Sequence, residues 1–145
     1  WTTTVGGFLH PYKYHRTAAA SAGAAEDFVS LRLTEQYLIR AEARAQQDKL
    51  AEATDDVNII RRRAGLNDLP ESLSKAGVLL AVERERRHEF FAEECHRWWD
   101  LIRTGRADDV LGAFPDKKWT PHKALLPIPQ RELDINSRIT QNSGY

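Results

Sequence analysis

Hydrophobic residues recur at every third or fourth position through the middle of the chain, which is the period of an amphipathic helix. A first helix is predicted from Phe28 to Gln46-Gln47-Asp48, with Asp27 as a plausible N-cap. A second helix follows after a short turn, and Gly65 is the residue type that commonly lies just beyond a helix end. The two apolar stripes consist of Phe28, Leu31, Leu38, Ala41 and Ala45, and of Leu50, Ala53, Val57, Ile60 and Ala64. Helices joined by so short a connection are expected to pack antiparallel.

A third helix is predicted over residues 75–95, with Ser72 or Ser74 as its N-cap. Two shorter helices are predicted over Trp98–Arg103 and Ala107–Leu111. Beyond Gly112 there are four prolines and no helical period, so residues 113–145 are predicted to form an extended coil laid over the helices. The residues expected to anchor this coil are Leu125, Leu126, Ile128, Leu133 and Ile135.

The N-terminal residues 1–27 show no sustained period and are predicted to be an irregular lead-in. Alternation at Tyr12, Tyr14 and Arg16 allows one short strand, and Ala18–Ala25 is a candidate flexible connection. The chain as a whole is predicted to be a single all-α domain over residues 1–145, with its helices in 28–112. Small residues on both helical stripes permit the close packing of a tetratricopeptide-type hairpin.

Composition limits the possible functions. The 145 residues suit one domain, and 21 Lys and Arg offset 21 Asp and Glu, which argues against nucleic-acid binding. The run Arg61-Arg62-Arg63 is explained by ion pairing with Asp55 and Asp56 rather than by a phosphate ligand. Cys95 is the only cysteine, so no intrachain disulfide can form. The first residues carry no signal-peptide pattern, and we expect the chain to be a mature segment or a piece of something longer.

Candidate catalytic residues are few. Five glutamates cluster between residues 83 and 94, but Arg84 and Arg87 are interleaved with them, and ion pairs such as Glu83–Arg87 and Glu85–Arg84 are expected. His88 and His96 are too far apart to bind one metal ion as helical neighbours. Cys95 and His96 point about 100° apart on a helix and therefore make a poor nucleophile–base couple. We predict no catalytic residue, no metal site and no cofactor.

The tryptophans are the remaining candidates. Trp98 and Trp99 lie beside apolar residues in a helical turn and are predicted to fill the core. Trp119 lies in the coil between Lys118 and Thr120. It either fixes the coil to the helices or presents an indole ring that stacks on a sugar. Trp119 is therefore the candidate ligand-binding residue.

Four blocks of the chain resemble, in order and spacing, motifs of the SusD/RagB family. They are YLIRAEA at 37–43 with DVNIIRRRAGL at 56–66, ERERRHEFFAE at 83–93 with HRWWDLIRTG at 96–105, LLPIPQ at 125–130, and TQNSGY at 140–145. The departures are modest: Cys95 stands where the family usually has Gly, Trp99 where Phe is common, and Ser143 where Pro is common. Members are normally several-fold longer, so the resemblance is to their C-terminal portion.

The resemblance implies a surface lipoprotein of the bacterial outer membrane that is not an enzyme. Such a protein binds an oligosaccharide or a peptide for a SusC-like TonB-dependent transporter, and it contacts the membrane only through a lipid anchor that this segment lacks. The family's ligand residues mostly lie N-terminal to the matching part, so none is carried over. The alternative is a tetratricopeptide-type protein–protein interaction module, against which the tail through Pro127, Pro129 and Tyr145 argues, because repeat modules end in a polar capping helix.

Overall fold

The computed structural model describes residues 2–11, 13 and 29–145, and within these residues the fold is mainly helical, as predicted. The helices are α1 (Leu33–Gln46), α2 (Leu50–Arg63), α3 (Lys75–Glu89), α4 (His96–Arg103), α5 (Ala107–Gly112) and α6 (Gln130–Ile135). A two-stranded sheet precedes them. The chain forms two compact units, Trp1–His96 and Arg97–Tyr145, and each is described by itself.

In the first unit, α1 packs against α2, and α3 packs against both. The main core consists of Leu38, Ala41, Val57, Ile60, Val82 and Phe90, and a smaller cluster consists of Ala45, Ala53 and Val78. The alanines allow the helices to approach closely, because they place only a methyl group between the backbones. The predicted stripes of α1 and α2 are thus confirmed from Leu38 onward, except that Ala64 is exposed at the C-cap of α2.

The beginning of α1 differs from the prediction. The helix begins at Leu33 rather than at Phe28, and Leu31, assigned to the stripe, is 79% exposed. Arg32 occupies the N-cap in an extended conformation, and its guanidinium group binds Glu93 instead of lying along a helix surface. The predicted residues Asp27 and Phe28 lie outside the described part of the chain.

Two other helix ends follow the sequence signals. Gly65 has φ +72 just beyond α2, as predicted, and its N–H donates to the Arg62 carbonyl at 3.0 Å. The Leu66 N–H donates to the Arg61 carbonyl at 2.9 Å, which completes a Schellman motif. At the start of α3, Ser74 is the N-cap and its hydroxyl accepts from the Gly77 N–H at 3.2 Å.

The predicted end of α3 is wrong, because the helix stops at Glu89 and not at residue 95. The next residues form turns in which Ala92, Glu94 and Cys95 have positive φ values of 58°, 37° and 57°. A helix cannot continue through left-handed residues, so the chain changes direction before α4.

The prediction of an irregular N-terminus is also wrong over residues 2–11. Strands β1 (Thr2–Val5) and β2 (Phe8–Pro11) form an antiparallel hairpin in which Val5 lies opposite Phe8. Gly6 and Gly7, with φ +57 and +84, make the two-residue turn, which needs positive φ at both positions. The predictions for Tyr12, Tyr14, Arg16 and Ala18–Ala25 lie outside the described residues.

In the second unit, the predicted coil contains short helical turns. Two 3₁₀ turns, Pro115–Lys117 and Pro121–Ala124, begin with proline, which suits the first position of a helix, and α6 follows them. Of the expected anchors, Ile128 and Leu133 are partly buried. Leu125, Leu126 and Ile135 are exposed, so as anchors these three were wrongly predicted.

Candidate functional site

The glutamates between residues 83 and 94 were expected to pair with arginines of their own helix. Glu85 instead binds Arg61 of α2, and Glu89 binds Arg63 of α2 at 2.6 Å. Glu85 therefore pairs with Arg61 and not with the predicted Arg84. The ion-pair interpretation is confirmed for Glu85 and Glu89, but their partners come from a neighbouring helix, so the bonds tie α2 to α3.

Glu93 accepts from two cations that come from different parts of the chain. The Lys13 Nζ lies 2.6 Å from Glu93 Oε1, and the Arg32 guanidinium binds Oε2. The Lys13 Nζ also donates to the Glu89 carbonyl at 2.9 Å. The Glu93 side chain is only 6% exposed, and its two cationic partners offset the cost of burying its charge. This carboxylate joins the chain before α1 to the turn after α3.

The ring of Phe90 lies at the centre of this polar cluster. The guanidinium carbons of Arg32 and Arg86 lie 4.9 and 5.2 Å from its centroid, and the His96 ring stacks on it at 4.6 Å. Arg86 also reaches Glu35 of α1 at 3.9 Å. A hollow beside the cluster has a volume of about 10 Å³, which is room for one water molecule and not for a sugar ring.

A second buried carboxylate, Asp56 of α2, binds two arginines of α1. Arg40 donates through Nε at 3.0 Å and through Nη2 at 2.6 Å, and Arg44 donates through Nη1 at 2.6 Å. The Asp56 side chain is 2% exposed. The bidentate geometry fixes the register of the α1–α2 hairpin as well as its distance.

Cys95 and His96 are adjacent in the chain but have different surroundings. Cys95 is exposed and has φ +57, whereas the His96 ring is occupied by its stack on Phe90. A positive φ favours glycine, which explains why the family usually has Gly where this chain has Cys95.

Among residues 2–11, 13 and 29–145, no three side chains of metal-binding type come together. In the same residues, no helix is long and apolar enough to cross a bilayer.

The three described tryptophans have different surroundings. Trp119 is partly buried: its Nε1–H donates to Asp108 Oδ1 at 2.8 Å, and its ring meets the Trp98 ring edge-on at 6.0 Å. It is held in one orientation with part of its surface accessible, and it remains our candidate ligand residue.

Trp98 is partly buried, but Trp99 is 61% exposed, so the assignment of Trp99 to the core was wrong. Successive residues of a helix point about 100° apart, and in α4 the inward positions belong to Asp100 and Leu101.

The tail of the second unit is fixed by side chains that bind backbone groups. Gln141 and Asn142 bind the backbone of Ile128 and Leu126, and the Tyr145 hydroxyl donates to the Leu125 carbonyl at 2.9 Å. The Tyr145 ring also meets the His122 ring edge-on at 5.0 Å. These contacts were not predictable from spacing, because the partners are 13 to 20 residues apart.

The helical hairpins and the ion pairs between them define an all-α scaffold of the tetratricopeptide-like kind. The sequence profile of the SusD family matches residues 2–145, and the chain belongs to this family.

Individual relatives agree with this assignment. The chain is 33% identical over 130 residues to a SusD-like protein of Formosa agariphila, which covers 81% of this chain and 24% of that protein. It is 30% identical over 126 residues to the starch-binding protein SusD of Bacteroides thetaiotaomicron, with 82% and 22% covered. A SusD superfamily structure from Bacteroides vulgatus matches with a TM-score of 0.69 and 31% identity, over 84% of this chain and 29% of that one. The chain spans about a quarter of the length of its curated relatives.

Proposed function

We propose that these 145 residues are the C-terminal part of a non-catalytic, nutrient-binding subunit of an outer-membrane uptake complex, and that they serve mainly as its scaffold. The observation that carries the proposal is the use of the acidic side chains. Glu85, Glu89, Glu93 and Asp56 each bind cations of another element, so the described structure uses these carboxylates as ion-pair partners that join segments of the fold. This use supports a structural rather than a catalytic role for them.

The ligand we propose is an oligosaccharide or a peptide, delivered to a SusC-like TonB-dependent transporter at the cell surface. Support for a glycan comes from family membership and from the relative named as a starch-binding protein. We place the protein at the outer membrane as a lipoprotein whose anchor lies outside these residues. The principal ligand residues also lie outside them, with Trp119 as the candidate contact from this segment.

Affinity electrophoresis of the whole protein in gels that contain single polysaccharides tests the binding function. We expect retardation by at least one glycan and no release of reducing ends. Trp119→Ala should weaken the retardation, whereas Trp99→Ala, which removes an exposed ring elsewhere in the same unit, should leave it unchanged. Turnover that a single Glu→Gln change abolishes would contradict the proposal.

We further propose that residues 1–145 behave as one domain although they form two compact units. A single calorimetric transition whose van't Hoff and calorimetric enthalpies agree is expected. The alternative, a protein–protein interaction module, is distinguished by pull-down. Capture of a TonB-dependent transporter supports the uptake complex, whereas capture of soluble partners alone, together with no glycan or peptide binding, supports the module.

A further inference from the structure

The face of α3 that points away from the core carries two arginines. Leu80, Arg84 and Arg87 follow one another at spacings of four and three residues, so they share one side of the helix. All three are exposed, while Val78 and Val82 lie on the buried side. α3 packs through that buried side against α1 and α2, so the arginine face is exposed in the described structure.

These two arginines differ from most others on the helices. Seven other arginines of α1 to α4 bind a carboxylate, namely Arg40, Arg44, Arg61, Arg62, Arg63, Arg86 and Arg103. Arg84 and Arg87 have no acidic partner among the residues that the structure describes. Glu83 borders the face, but it is half-buried and has an interaction of its own.

Two like charges one helical turn apart repel each other and lower the stability of the helix slightly. No acidic side chain of the described residues relieves this repulsion, although seven other helical arginines are paired with acids. Each guanidinium group presents a planar fork of N–H donors that matches a carboxylate or a sulfate. Phe91, just beyond the end of α3, has a ring that is 40% exposed, and exposed rings stack on the apolar face of a sugar.

We propose that Arg84 and Arg87, with His88 and Phe91 beside them, form a subsite for an anionic glycan, a saccharide chain that carries carboxylate or sulfate groups. The inference rests on the proposed function, because it names the chemical class of a ligand for the same protein. Charge complementarity selects this class: the surface offers two fixed positive charges and an apolar ring, and no carboxylate of the described residues pairs with these charges.

The test is affinity electrophoresis of the whole protein in gels that contain polygalacturonate, dextran sulfate or neutral amylopectin. The variant is the double change Arg84→Gln and Arg87→Gln, made on exposed side chains that have no acidic partner in residues 2–11, 13 and 29–145. Its matched control is Arg131→Gln with Arg138→Gln, which removes the same charge from two exposed arginines of the second unit that also lack an acidic partner in the described chain. Circular dichroism checks that both variants are folded.

We expect the α3 variant to lose about tenfold or more in affinity for at least one anionic polysaccharide, while the control changes by less than about twofold. Equal losses in the two variants would overturn the proposal, because they would reflect net charge alone. No retardation by either anionic polysaccharide would also overturn it. If only amylopectin retards the protein, the anionic-glycan proposal fails and the proposed function stands. If the protein binds no glycan and no peptide, both the proposed function and the anionic-glycan proposal fail. If the α3 variant keeps glycan binding but loses capture of the transporter, the face binds an acidic protein surface and the glycan proposal fails.

Discussion

The side-chain amide of Gln141 forms two hydrogen bonds with the backbone of Ile128. Its Oε1 accepts from the Ile128 N–H at 2.8 Å, and its Nε2 donates to the Ile128 carbonyl at 2.9 Å. The amide thereby supplies the pairing that a neighbouring strand would give to an extended segment between Pro127 and Pro129. The LLPIPQ and TQNSGY blocks of the sequence are therefore two halves of one structure.

Gln141→Glu tests whether the two Gln141–Ile128 hydrogen bonds stabilise the tail. The substituted carboxylate can still accept from the Ile128 N–H, but it places a negative charge against the Ile128 carbonyl, and we expect a loss of about 1–3 kcal/mol. Thermal melts followed by circular dichroism measure the change. Gln36→Glu, at an exposed position of α1, adds the same charge and should melt like the parent. Equal melting temperatures of the two variants would contradict a stabilising role for the Gln141–Ile128 hydrogen bonds.

The backbone of the tail makes a separate prediction for Gly144. A Cβ atom there would lie 2.5 Å from His122 Cγ, and the residue has φ +100. We expect Gly144→Ala to cost at least about 1–3 kcal/mol from backbone strain alone. Gly112→Ala is the control, because its added Cβ has only an ordinary contact with Trp119 at 3.9 Å. Hydrogen exchange at the Ile128 amide should increase in the first variant and not in the second.

Asp56 provides the test of the buried ion pairs. Asp56→Asn leaves Arg40 and Arg44 without their carboxylate, but both guanidinium groups keep access to solvent, so we expect a loss of about 1–3 kcal/mol. The neighbouring Asp55 is exposed, so Asp55→Asn should change the unfolding free energy by less than about 0.5 kcal/mol. Urea unfolding of both variants gives the comparison. A small effect at Asp56 would mean that the hairpin is held by its apolar contacts alone.

Asp68 should contribute to the pH dependence of stability. Hydrogen bonds from the Arg62 guanidinium, reinforced by its charge, hold the pKa of Asp68 below the ordinary 3.8. An acid whose pKa is lower in the folded state stabilises the fold when ionised. Its contribution is complete above the ordinary pKa and is lost as the pH falls through the lowered value.

Asp68→Asn should therefore be slightly less stable than the parent at neutral pH and equal to it in strong acid. The difference should be small, because both side chains of the pair are largely exposed. The measurement is the urea unfolding midpoint of the parent and of Asp68→Asn across the acidic pH range. Asp109→Asn, at another exposed ion pair, is the control that shows whether the effect is particular to Asp68. A gap between parent and Asp68→Asn that widens in acid would contradict the assignment.

The sequence predicted the parts of the fold that depend on local periodicity. The stripe through Leu38, Ala41 and Ala45 has a helical period, so the buried side of α1 followed from it. The hairpin was missed because its strands are only four residues long and mostly exposed, although Gly6-Gly7 was a turn signal. The end of α3 was missed because no glycine or proline marks residues 90–95, where left-handed conformations fall on Ala, Glu and Cys.

The sequence predicted that the acidic residues form ion pairs, but it did not predict which residues they pair with. Spacing along a helix identifies neighbours such as Glu85 and Arg84, but it carries no information about which helix packs alongside. The pairs that Glu85, Glu89 and Glu93 form join residues 24 or more positions apart, as in Arg61–Glu85 and Lys13–Glu93. The same limit applies to the tryptophan pair, because periodicity could not decide which of Trp98 and Trp99 faces inward.

Cys95 gives the protein a natural attachment point for a probe. It is the only thiol in the sequence, it is exposed, and it lies one residue before the boundary between the two compact units. Within residues 1–145, a nitroxide or a fluorescent dye can be coupled to it without an engineered cysteine. The rotational mobility of such a label would report how firmly the turn between α3 and α4 is held, and whether a bound glycan changes it.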